Sequence, residues 1–75
     1  MTQRINVSLL PDADVPHIES ALKSIGASIV RKPSSIQPDL MVVTVEDEHT
    51  DRFLNDANAL RGVKVAERDA WQSTF

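Results

Sequence analysis

Apolar and polar positions alternate with period two in Ile5-Asn6-Val7-Ser8-Leu9, which predicts a strand with one buried face. Leu10-Pro11-Asp12-Ala13 breaks that pattern. Asp14 then stands as an N-cap, and Pro16 occupies the first turn, where its missing N–H costs nothing. Val15, Ile18, Ala21, Leu22 and Ile25 follow at helical spacing, and Gly26 sits where a helix end takes a left-handed residue. Residues Ser28 to Lys32 predict a second, more polar strand. Pro33 to Asp39 form a loop bounded by prolines at 33 and 38. Leu40 to Val45 give the strongest strand signal and are apolar on both faces. Asp47 is expected to cap a second helix with the stripe Phe53, Leu54, Ala57 and Leu60, ended by Gly62. Val63 to Arg68 predict the last strand, and Asp69 to Phe75 show no period.

The order β-α-β-β-α-β predicts an α+β, ferredoxin-like sandwich: an antiparallel four-stranded sheet, two helices on one face and an extended C-terminal tail. The division is a domain over 1–69 and a tail over 70–75. The first and third strands are then central, with Ile5, Val7 and Leu9 facing the helices. One parity of the third strand, Leu40-Val42-Thr44 or Met41-Val43-Val45, must face outward. Either choice leaves apolar groups on an uncovered sheet. They are scattered surface hydrophobics or a docking face for a partner.

Length and composition narrow the function classes. At 75 residues the chain is one domain, whose thin core leaves little room for a deep cofactor pocket. Net charge is −3 with scattered Lys and Arg, which argues against nucleic acid. The central strands also lack the aromatics that stack on RNA bases. No apolar run reaches the length of a membrane span, and the first residues lack a signal peptide's apolar core, so the default expectation is cytoplasmic. There is no cysteine, hence no thiol nucleophile and no Cys-based zinc site. His17 and His49 lie in different elements without ligand-spaced neighbours and are expected on helix surfaces. The acidic run Glu46-Asp47-Glu48 is explained by a helix N-terminus. No enzyme, metal or cofactor is expected. Phe53 belongs to the core, whereas Trp71 and Phe75 lie in the tail, which either folds back or serves as a recognition segment.

The segment Ala59-Leu60-Arg61-Gly62-Val63-Lys64-Val65-Ala66-Glu67-Arg68-Asp69 resembles the ending of the subtilisin propeptides and the free-standing inhibitors related to them. In that family a helix closes on small residues, a Val-rich strand follows, and a Glu-x-Asp element precedes the segment's end by about six residues. Phe75 stands at that distance here. The resemblance implies a competitive, non-covalent inhibitor of a subtilisin-like serine protease, with folding-assistant ability as a further capacity. The open sheet would pack on two surface helices of the protease. Glu67 and Asp69 would meet the N-termini of those helices, where unpaired N–H groups carry partial positive charge. Trp71, Gln72, Ser73, Thr74 and Phe75 would lie extended in the substrate cleft, with Phe75 in the primary specificity pocket. Two features depart from the family pattern. Ser35 to Leu40 lack the aromatics and glycine that usually lead into the third strand, and Gln72 falls at a subsite that favours apolar groups. No protease domain follows in the sequence, so a free-standing inhibitor, monomeric when free, is expected rather than a propeptide proper. The other reading from the residues is a non-enzymatic interaction or regulatory domain that pairs through its open sheet face.

Overall fold

The computed structural model describes residues 1–69. The chain runs β1 (Thr2–Leu9), α1 (Val15–Ser24), β2 (Ser28–Arg31), β3 (Leu40–Glu46), a 3₁₀ turn (Asp47–His49), α2 (Thr50–Asn58) and β4 (Val63–Arg68). The strands form one antiparallel sheet in the order β2-β3-β1-β4, with β1 and β3 central. Both helices cover the same face. The architecture is the expected ferredoxin-like β-α-β-β-α-β sandwich. The expected tail, residues 70–75, lies outside the described residues.

Period two decides the core. Ile5, Val7 and Leu9 of β1 join Met41, Val43 and Val45 of β3 beneath Ile18 and Leu22 of α1 and Phe53 and Ala57 of α2. The parity left open by the sequence is thereby resolved. Leu40, Val42 and Thr44 pair with Ser8, Asn6 and Arg4 and share their outward face.

The first helix follows its local signals at both ends. The Asp14 carboxylate accepts from the backbone N–H of His17 at 3.3 Å, satisfying one of the four donors a helix start leaves unpaired. At the other end Gly26 adopts φ +103°. Its N–H donates to Lys23 O at 3.2 Å, and that of Ala27 donates to Leu22 O at 3.0 Å, the two bonds of a Schellman ending.

The second helix departs from expectation at both ends. Asp47 opens the 3₁₀ turn instead of capping the helix, and its carboxylate accepts from Gln3 Nε2 of β1 at 2.7 Å. Thr50 is buried, and its hydroxyl donates to Glu46 O at 3.0 Å. The turn thus consumes the residues that a capped helix start would have used. At the far end α2 stops at Asn58, four residues before Gly62. Asn58 Nδ2 donates to Leu54 O at 2.8 Å, so a polar side chain closes the helix. Gly62, at φ +94°, instead lets the α2–β4 loop pass close to α1. A Cβ there would lie 2.9 Å from Ile18 Cδ1 and 3.2 Å from Ala13 Cβ.

The second strand is one residue shorter than predicted. Its register with β3 shifts between Ile29 and Arg31, which leaves Val30 as the extra residue of a bulge, 51% exposed.

Candidate functional site

The candidate surface is the sheet face that the helices leave open, and the strand registers fix its composition. Across the order β2-β3-β1-β4, Ser28 lies beside Thr44, and Thr44 beside Arg4. The backbone N–H of Asp69 donates to Arg4 O at 3.0 Å, so strand pairing on β1 continues through residue 69 and Asp69 completes that row. The next row is Arg31, Val42, Asn6 and Glu67. The third is Leu40, Ser8 and Val65.

Both predicted carboxylates therefore stand on the open face. Glu67 is exposed and Asp69 half-buried. They are two residues apart on an edge strand, so alternation points both the same way. The register assigns the intervening Arg68 to the opposite face, where its guanidinium meets the Asp51 carboxylate of α2 at 2.7 Å. The other predicted site residues, Trp71, Gln72, Ser73, Thr74 and Phe75, lie outside the described residues.

Sequence reading did not single out the cations of this face. Arg4 and Arg31 line a shallow depression of about 260 Å³ with Asn6, Val30, Leu40, Val42 and Asp69. Val42 forms its floor and is only 8% exposed. Basic groups thus occupy β1 and the β2 edge, and acidic groups occupy the β4 edge. Arg31 was visible in the sequence as part of a basic pair with Lys32. The bulge at Val30 decides that Arg31 shares the face of Val42, and no local signal announced that bulge.

Asn58 was also missed. Ala66 N–H donates to Asn58 Oδ1 at 2.9 Å, and Asn58 Nδ2 donates to Ala66 O at 3.1 Å. The carboxamide imitates one residue of a neighbouring strand and occupies the outer edge of β4 at its middle. Partner strands are thereby kept from that edge.

Elsewhere, Glu19 of α1 accepts from Lys23 Nζ at 3.3 Å and Lys32 Nζ at 3.5 Å. The Lys23 hydrogen bond, aided by the charge of Lys32 and opposed by desolvation, holds its carboxyl below the usual glutamate range. This cluster ties α1 to the segment after β2 and lies away from the open face. His17 and His49 are both exposed, and His49 Nε2 lies 3.8 Å from Glu48 Oε1. Among the described residues no group of three or more His, Asp or Glu side chains could hold a metal ion, and no helix is long and apolar enough to cross a membrane. Among the described residues the face carries cations on β1 and β2 and carboxylates at the β4 edge, a mixed surface suited to recognition. Comparisons with protein-family models, with curated proteins and with solved structures give no match to this chain.

Proposed function

We propose that this protein inhibits a subtilisin-like serine protease, docking its open sheet face on the enzyme and laying residues 70–75 in the substrate cleft. The observation that supports the reading most is the common orientation of Glu67 and Asp69 on the uncovered face, with Asp69 still held by β1. Two carboxylates so aligned can each approach a helix N-terminus on one partner surface, where backbone N–H groups await an acceptor. The hydrogen bond at Asp69 ties the last described residue to β1, and in this reading residues 70–75 enter the cleft from that fixed point. A segment held at one end loses less freedom on entering a cleft than a free peptide does. In this reading Phe75 fills the primary pocket, Trp71 to Thr74 add backbone contacts as an extra strand, and inhibition is competitive and non-covalent.

The test is a titration of a subtilisin's peptidase activity with the purified protein at several substrate concentrations. Competitive inhibition is expected. Phe75→Asp should abolish it by placing a charge in an apolar pocket, and the paired change Glu67→Ala with Asp69→Ala should weaken it through faster dissociation. Absence of inhibition at any protein concentration would sink the proposal. Inhibition indifferent to Phe75→Asp would remove the cleft mechanism.

A second reading, a regulatory domain that pairs through the same face, is favoured by one further observation, the opposite charges carried by the two edges of that face.

A further inference from the structure

The open face is complementary to itself. Two of its exposed charges, Arg31 on β2 and Glu67 on β4, stand at opposite edges and in the same cross-strand row, while Arg4, also exposed, stands on β1 beside Asp69. Consider a second copy turned over by a two-fold axis that lies between the two sheets and runs along the strands. That operation sets β2 of one copy over β4 of the other and keeps each row over itself. Arg31 then faces Glu67 of the second copy, and by symmetry Glu67 faces its Arg31. In the neighbouring row Ser28 faces Asp69. Val42 and Asn6 meet at the centre, flanked by Leu40 and Ser8. The alternative axis, across the strands through the Arg31 row, sets β2 over β2 and β4 over β4, so Arg31 opposes Arg31 and Glu67 opposes Glu67. Such juxtaposition is costly. One face-to-face arrangement is favoured and its rival is penalised, which is how a C₂ contact specifies itself.

The edges offer no easier route. Asn58 already occupies the middle of the β4 edge through both polar groups of Ala66. The β2 edge is four residues long, bulged at Val30, and followed by Lys32 and Pro33.

We propose that the open sheet face is a homodimer interface, closed by two symmetric Arg31–Glu67 pairs. Strand spacing and rise give this face roughly 400 Å² per copy. A contact of that size belongs to the weak, transient class. The protein is then a monomer in dilute solution and a dimer when concentrated. Dimer and protease compete for one surface, so the dimer is an inactive reserve in the inhibitor reading. The interface itself does not depend on that reading.

The experiment uses the intact chain without protease. Sedimentation equilibrium up to about 1 mM, a range suited to weak association, should show reversible dimerisation that weakens as sodium chloride is raised. Amide shifts that move with concentration should map to Arg4, Asn6, Arg31, Val42 and Glu67. Arg31→Glu alone and Glu67→Arg alone should each weaken self-association by about tenfold or more. Their combination in one chain should return it to within about threefold of the parent, and an equimolar mixture of the two single variants should dimerise. A parent chain that stays monomeric across the whole range would overturn the proposal. So would a double variant no better than the singles, or shifts confined to the helical face. Because protease is absent, failure here leaves the inhibitor reading standing, and a protein that dimerises without inhibiting retains the interface alone.

Discussion

The two faces of one sheet are built from alternate residues of the same strands, yet they answer to different constraints. Met41 and Val42 are neighbours in β3, 0% and 8% exposed. Met41 is covered by the helices, among residues whose sole requirement is apolar volume. Val42 is covered by its own sheet neighbours, in a row that runs Arg31, Val42, Asn6, Glu67. On the helical side, shape is what matters. On the open side, the order of charges matters, and hydrophobic burial is incomplete. The helical face therefore carries the fold, and the open face is free to carry recognition.

The sharpest way to break this division is to truncate one apolar side chain on each side. Phe53→Ala, at the centre of the helical face, should cost about 3–5 kcal/mol in urea denaturation. Val65→Ala, 36% exposed on the open face, should cost about 0.5 kcal/mol. Equal losses would mean that the open face also serves as core.

Gly62→Ala comes next. A left-handed backbone costs a side chain about 1–2 kcal/mol, and the new Cβ also crowds Ile18 and Ala13, so about 2–4 kcal/mol is expected in total. Gly26→Ala has the same backbone penalty but no atom within 4 Å, and should cost about 1–2 kcal/mol. The gap between the two measures how tightly the α2–β4 loop is packed on α1.

Asn58→Ala tests the boundary between the faces. Loss of the bonds to Leu54 and Ala66 should destabilise by about 1–2 kcal/mol. It should also leave the β4 edge open, giving aggregation that rises with protein concentration in light scattering. Clear solutions at every concentration would show that the edge needed no cover.

The smallest effect concerns acid. The carboxyl of Glu19 titrates lower in the folded protein than its ordinary value of 4.5. Its contribution is therefore complete above the unfolded value and is lost as pH falls through the folded one. Stability of Glu19→Gln should be lower near neutrality and should fall less steeply below about pH 4.5 than that of the parent. Parallel acid limbs in thermal scans would remove Glu19 from the account.

Much of the fold was legible because its signals are local. The Asp14 cap, the left-handed Gly26 and the alternation of β1 each depend on residues within a few positions. The parity of β3 was not legible, since Leu40 to Val45 are apolar on both faces and only the pairing with β1 distinguishes them. Asp47 misled for a related reason. An acidic residue before a helical stripe is an ordinary cap signal, but Gln3, from the far end of the chain, claims its carboxylate. Of the candidate site, the orientation of Glu67 and Asp69 followed from their spacing. The placement of Arg31 opposite them did not, because it depends on a bulge that local residue types do not encode.

The carboxamide of Asn58 has one more consequence, for the order in which the molecule assembles. Its partner Ala66 is only eight residues away. Closing so short a loop costs little entropy, so α2 and β4 can clasp before any distant strand arrives. A strand with one side already taken can accept a neighbour only on the other. β4 then reaches the growing sheet with one free edge, and topologies that pair it through the other edge are removed from the search before they form.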